Sequence, residues 1–205
     1  MNDKLLLEVV NSKDTDIIKR AVYETFKDYN KENEPAYIYI SNQDSIDINK
    51  LTVPLCRAYI KLLIDNDSKS FSNSSIENGT IHKILRRMKA IYDINYLFSN
   101  KSKYDIFFTI MDYHGWYDRD YSDKLKYKSA SKPINVDEEL RHIDDADFAY
   151  LCSLLTMLLR ENNPYEDTWT KKRLPSGALD TVLTKMIYFI LNGSYFDIED
   201  ELNVY

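Results

Sequence analysis

Two segments of this chain repeat one another, and a duplicated element limits the available folds more sharply than composition does. Leu55-Cys56-Arg57-Ala58-Tyr59-Ile60-Lys61-Leu62-Leu63-Ile64 lies against Leu151-Cys152-Ser153-Leu154-Leu155-Thr156-Met157-Leu158-Leu159-Arg160, with Cys56 and Cys152 96 positions apart. Downstream, Gly79-Thr80-Ile81-His82-Lys83-Ile84-Leu85-Arg86-Arg87-Met88 lies against Gly177-Ala178-Leu179-Asp180-Thr181-Val182-Leu183-Thr184-Lys185-Met186, now 98 positions apart. The extra two residues fall in a connector, where a duplicated helix pair tolerates insertion.

Each copy reads as helix, connector, helix. The first helices are apolar at almost every position, which predicts burial on most sides. Thr52 and Pro54 start one of them, and Asp144 or Asp145 caps the other. Asn66 with Asp67, and Asn162-Asn163-Pro164, end them. The second helices are amphipathic, with Ile81, Ile84, Leu85, Met88 and Ile91 inward in one copy and Leu179, Val182, Leu183, Met186 and Ile190 in the other. Lys83, Arg86, Arg87 and Lys89 read as a solvated face. Asn78 and Ser176 are N-cap candidates, and the glycines after them permit either a tight entry or a close backbone contact.

The expected fold is therefore mainly α, two repeated helix-pair units packed around one core, with a candidate short β-strand pair. Residues 1–45 form an N-terminal helical segment, broken near Asn11-Ser12-Lys13. Within it, Ala36-Tyr37-Ile38-Tyr39-Ile40 has strand character; Ile106-Phe107-Phe108-Thr109-Ile110 is either its partner or a helix. The first repeat occupies 46–98, an aromatic connector 99–142, the second repeat 143–192 and an acidic tail 193–205. A 205-residue chain can bury about 70% of its unfolded surface and needs no staples.

Several function classes drop out. No apolar run approaches the ~18–20 residues of a membrane span, and the N-terminus lacks a signal-peptide core, so the expected location is cytoplasmic and off the membrane. Net charge is −6, which sets a repulsive average field against a phosphate backbone and disfavours nucleic acid as a partner. Only 4 glycines occur, where average usage gives roughly 14, leaving few phosphate-cradling loops. Cys56 and Cys152 read as buried thiols rather than a metal or redox motif. No cofactor is implied.

Nucleophile elbow, P-loop, dinucleotide fingerprint and zinc-protease helix are all absent from the sequence. Glu138, Glu139, His142 and Asp145 have the spacing to share a helix face and read as a solvated helix start before a metal or acid–base site. The stretch Asp112-Tyr113-His114-Gly115-Trp116-Tyr117-Asp118-Arg119-Asp120-Tyr121, continuing to Tyr127, mixes amphipathic rings with alternating charge, the residue types that anchor interfaces. Against that stands a roofing role, with Trp116 and some tyrosines covering the core. Arg160 ends a buried helix, where a charge calls first for a structural ion pair and second for a ligand.

Trp116-Tyr117-Asp118, the helix Leu154 to Arg160, Trp169 and Gly177 together resemble an uncharacterised bacterial family with a domain of unknown function. The resemblance spans about residues 110 to 190, and Phe71-Ser72 with Ile76-Glu77-Asn78-Gly79 echoes it in the first copy. After Arg160 the chain departs, with Glu161-Asn162-Asn163-Pro164 where the family carries a second arginine and an aromatic. The resemblance implies no activity. The chain accordingly reads as a non-catalytic protein-binding protein, of interaction or inhibitor type in an immunity or anti-defence setting of bacterial or phage origin. Its partner would be another protein, met through Tyr113, Trp116, Tyr117, Asp118, Tyr121 and Arg160. The alternative is a small-molecule or nucleotide pocket between the repeats, hydrolytic or not, using Trp116, Tyr117, Asp118, His142 and Arg160.

Overall fold

The computed structural model describes residues 3–29, 34–70, 74–100, 104–126, 135–161 and 177–195, and among these it contains eleven α-helices and no strand. The mainly α expectation holds, and no described helix is long and apolar enough to cross a membrane. The chain divides into two compact units, Met1–Tyr92 and Asp93–Tyr205.

The first unit opens with α1 (Lys4–Glu8) and α2 (Thr15–Phe26). Asp14 starts α2 by accepting the backbone N–H groups of Asp16 and Ile17 at 2.9 and 3.3 Å, just beyond the expected break. Ile18, Ala21, Val22 and Phe26 form its buried side. The strand reading of residues 36–40 is overturned, because they lie in α3 (Pro35–Ser41), which packs on α4 (Val53–Ser70). Pro35 sets the helical φ at the first position. A lone five-residue strand would leave its ladder groups unpaired, whereas a helix satisfies them internally. Residues 106–110 are likewise helical, inside α7 (Tyr104–Tyr113) of the second unit.

Pro54 stands in the first turn of α4 as expected, and the Thr52 carbonyl accepts the Cys56 N–H at 2.8 Å. The helix does not stop at Asn66 and Asp67. Asp67 instead accepts from the Ser74 hydroxyl at 2.8 Å and from the Ser75 N–H at 3.1 Å and hydroxyl, anchoring α5 (Ser74–Glu77) to α4. Nor is α4 buried all round. Cys56, Ala58, Ile60 and Ile64 are buried, while Leu62 and Leu63 are only half-buried. Arg57 reaches Asp3, whose carboxylate accepts from both Nε and a terminal nitrogen of the guanidinium and, in addition, from the Tyr92 hydroxyl. The Asp3 carboxylate, chiefly through its hydrogen bond, raises the Arg57 pKa further.

α6 (Thr80–Ser99) presents the expected inward row: Ile81, Ile84, Leu85, Met88 and Ile91 are all buried. Its supposed solvated face needs a correction at Arg87, only 2% exposed, whose Nε donates to the Leu51 carbonyl at 2.9 Å. A guanidinium is tolerated inside when its donors find carbonyl acceptors. Asn78 caps the helix, accepting the Thr80 N–H at 2.9 Å; Ser176 lies outside the described residues.

The second unit contains α7, α8 (Tyr121–Lys124), α9 (Val136–Arg141), α10 (Phe148–Glu161) and α11 (Ala178–Leu191). Here the expectation of a central helix holds, since every residue from Leu151 to Leu159 is buried in α10, which packs on α8 and α11. Its cap is Asp147, which accepts the Tyr150 N–H at 2.8 Å, and not Asp144 or Asp145, which form a preceding 3-10 turn. α11 buries Ala178, Val182, Leu183, Met186 and Ile190, leaving Leu179 half-buried, and stops at Asn192.

Gly79 and Gly177 have left-handed backbones, φ +77° and +84°, and a Cβ on either would meet nothing within 4 Å. The glycines serve backbone conformation rather than close approach. Cys56 and Cys152 are free, buried thiols. Burial pushes the Cys56 pKa up to about 12 and the Cys152 pKa well above its ordinary value, which favours the protonated thiol at both positions.

Candidate binding surface

The surface begins where α7 ends. The Trp116 N–H reaches back to the Met111 carbonyl at 2.7 Å and the Gly115 N–H to Asp112 at 3.2 Å, with Gly115 left-handed at φ +68°. This is the Schellman closure, in which glycine terminates the helix and the next residue turns inward to an apolar contact. Trp116 is that residue. It is 0% exposed, its indole stacked on His114 at 4.4 Å and 18° and edge-on to Phe148 at 5.7 Å. His114 in turn pairs through Nε2 with Asp93 at 2.8 Å, and Tyr113 sets its ring edge against His114 at 4.7 Å. Of the expected binding residues, Trp116 therefore takes the roofing role, and its ring does not reach the surface.

Asp118 also turns toward the protein. Its N–H donates to the Thr156 hydroxyl at 3.1 Å, and its carboxylate accepts from the Ser153 hydroxyl, Lys124 Nζ at 2.9 Å and the Asp120 N–H at 3.0 Å. Burial disfavours the charge, but the Ser153, Lys124 and Asp120 hydrogen bonds outweigh it and hold the pKa below the usual carboxylate value. With the folded value under the unfolded one near 3.8, the stabilisation is complete above that pH and is lost as pH falls through the folded value. Asp118→Asn is thus expected to cost about 1–3 kcal/mol at neutral pH. Parallel urea titrations should show this gap shrinking as pH drops below 3.8; a gap that widens on acidification would contradict the role given to Asp118.

Tyr117, Tyr121 and Arg160 are the expected residues that converge outside. The Arg160 Nε donates to the Tyr117 hydroxyl at 2.8 Å, and the guanidinium lies 5.3 Å from the Tyr117 ring centre and 5.5 Å from that of Tyr121. Hydrogen bonds to Tyr117 first and then to Tyr121 raise the Arg160 pKa. Arg160 is exposed and both rings are half-buried. Phe108 holds the Tyr117 ring from behind, edge-on at 5.8 Å. The structural ion pair expected for Arg160 is not found: among the described residues its partners are two phenols. Tyr127, the far end of the aromatic stretch, lies outside the described residues.

The Glu138, Glu139, His142 and Asp145 set does not assemble on one helix face. α9 ends at Arg141, which pairs with Glu138; Glu139 is buried and takes the Tyr150 hydroxyl; Asp145 sits in the 3-10 turn. His142 instead borders a cavity of about 170 Å³ with Lys126, Asp145, Asp147 and Tyr150. Among the described residues no group of three or more His, Cys, Asp or Glu side chains could hold a metal ion.

Sequence reasoning missed three contributors. Phe108 reads in the sequence only as part of a strand or helix, and the Ser153 and Thr156 hydroxyls carry no role in a helix that is apolar at almost every position. The signal for the inward turn of Trp116 was present in Gly115-Trp116, a glycine followed by a large apolar residue at a helix end. No family model, curated protein or solved structure matches the chain.

Proposed function

We propose that this chain is a non-catalytic protein-binding protein, of interaction or inhibitor type, which meets its partner through the face formed by Tyr117, Tyr121 and Arg160. The observation that carries the reading is the hydrogen bond from Arg160 Nε to Tyr117, with the guanidinium laid over both rings. Tyrosine and arginine dominate interface hot spots because they bury much area, and side chains already held in place lose less entropy on binding. The buried Trp116 and the bonds of Asp118 to α10 support this by fixing the segment that carries the rings. The bacterial or phage immunity setting belongs to the same proposal.

A photo-crosslinking side chain at Ser122, exposed and beside Tyr121, tests the reading by capture from the native host. Replacing both Tyr117 and Arg160 by alanine is expected to lower the yield of the cross-linked partner at least about tenfold, the size of a hot-spot loss. Unchanged yield from the folded double variant would sink the reading.

A further inference from the structure

We infer that Asn78 is a site of spontaneous covalent modification, where Asn78-Gly79 closes to a succinimide that water opens to aspartate and isoaspartate. The fold holds the same reaction back at Asn192-Gly193. This inference is independent of the protein-binding reading. Asparagine is among the chemically labile residues, and a following glycine, with no Cβ to hinder the approach, gives its backbone nitrogen the freest access to the side-chain amide. Two of the chain's 4 glycines follow an asparagine, and both asparagines are exposed to the water that the reaction consumes.

The step balances with water as its only co-reactant. The Gly79 backbone nitrogen gives up its proton and bonds to Asn78 Cγ, the Cγ–Nδ2 bond breaks, and Nδ2 leaves as ammonia. Water then adds to a ring carbonyl and breaks its bond to nitrogen, at Cγ to give aspartate or at the main-chain carbonyl to give isoaspartate. The two sites differ in how the side chain is held. Asn78 Oδ1 accepts the Thr80 N–H at 2.9 Å, a donor that draws electron density from Cγ and stabilises the oxyanion formed on attack. Among the described residues no hydrogen bond ties its Nδ2, the leaving nitrogen. At Asn192 the arrangement is reversed, with Nδ2 donating to the Tyr188 carbonyl at 2.7 Å. Both glycine N–H groups are bonded, Gly79 to Ile76 at 3.1 Å and Gly193 to Ile190 at 3.2 Å, so attack waits on local opening. The Gly79 bond ends the four-residue α5, whereas Gly193 closes the 14-residue α11 together with the Ser194 N–H on the Phe189 carbonyl at 3.0 Å. Opening therefore costs less at Asn78. The aspartate product keeps an acceptor for the Thr80 N–H and adds negative charge at the N-terminus of α6, where the helix dipole favours it. The isoaspartate product lengthens the main chain by one methylene and displaces that acceptor.

The test incubates the full chain in ¹⁸O-labelled water at mildly alkaline pH, which helps the glycine nitrogen lose its proton, once folded and once in urea. Peptide mass spectrometry with electron-transfer fragmentation then reads both asparagines and tells aspartate from isoaspartate. In the folded chain, heavy oxygen is expected to enter at Asn78 at least about tenfold faster than at Asn192, because local opening differs between the two. In urea the two rates are expected to agree within about a factor of three, since an unfolded chain lacks the contacts that distinguish them. Equal rates in the folded chain, a faster rate at Asn192, or no label at Asn78 would each overturn the inference. A tenfold gap that persists in urea would place the difference in the neighbouring sequence and would equally overturn the part assigned to the fold.

Discussion

Trp116→Ala is expected to lower the stability of the chain by about 3–5 kcal/mol, the cost of emptying a fully buried aromatic site. The indole is 0% exposed and loses two ring contacts at once, the stack on His114 and the edge contact with Phe148. It also closes the end of α7, where Gly115 has φ +68° and the Trp116 N–H bonds back to Met111. Trp116→Phe retains an apolar ring in the same place and is expected to recover more than half of the loss. Urea midpoints at constant slope measure both. A loss under about 0.5 kcal/mol for the alanine variant, typical of surface positions, would contradict the burial on which the division between core and surface rests.

The second large effect is expected at Leu158. It lies inside nine consecutive buried residues of α10 and is 1% exposed, so Leu158→Ala is expected to cost about 2–5 kcal/mol. Its counterpart in the repeat alignment, Leu62, is only half-buried in α4. Leu62→Ala is accordingly expected to cost no more than about half as much, because a half-exposed side chain recovers less free energy on folding. Denaturation of the two variants side by side checks the contrast. Equal losses would mean that α4 and α10 are equally enclosed.

These two helices show how far the sequence reading reached. A run apolar at all but Ser153 and Thr156 placed α10 at the centre of its unit, and the i, i+3, i+4, i+7 row placed the inward face of α6, because burial and helical period leave a direct mark on residue type. The same run misled at α4. Leu62 and Leu63 look as buried as Leu158 and Leu159, yet an apolar side chain carries no record of whether a neighbour covers it. Residues 36–40 misled for a related reason: β-branched and aromatic residues favour strands only where a sheet exists to receive them. Pro35 was the local signal for a helix start.

The candidate surface was legible as a segment and not as a set of roles. Alternating rings and charges drew attention to residues 112–121, but which rings face out depends on the turn made at Gly115. That turn sends Trp116 in and brings Tyr117 to Arg160. Arg160 was expected to meet a carboxylate because it ends a buried helix; it is exposed, and among the described residues two tyrosines that lie about forty positions earlier in sequence supply its contacts. Pairings across such separations are set by the packing of α8 on α10, which no local pattern encodes. Asp118 shows the same limit, since its hydroxyl partners Ser153 and Thr156 stand in an apolar run where nothing marks them as acceptors or donors for a distant loop.

The central claim is that one short segment is divided between core and partner, Trp116 holding the fold and Tyr117 with Arg160 meeting another protein. A paired thermal melt and Ser122 cross-linking capture on Trp116→Ala and Tyr117→Ala tests it most directly. Tyr117→Ala gives up one edge-on ring contact, worth about 0.5–1.5 kcal/mol, and the hydrogen bond to an exposed arginine. The expected result is a small fall in melting temperature with capture lost for Tyr117→Ala, and a large fall for Trp116→Ala with capture retained by the fraction that remains folded. Capture undiminished in Tyr117→Ala, or lost in folded Trp116→Ala at an unchanged melting temperature, would contradict it.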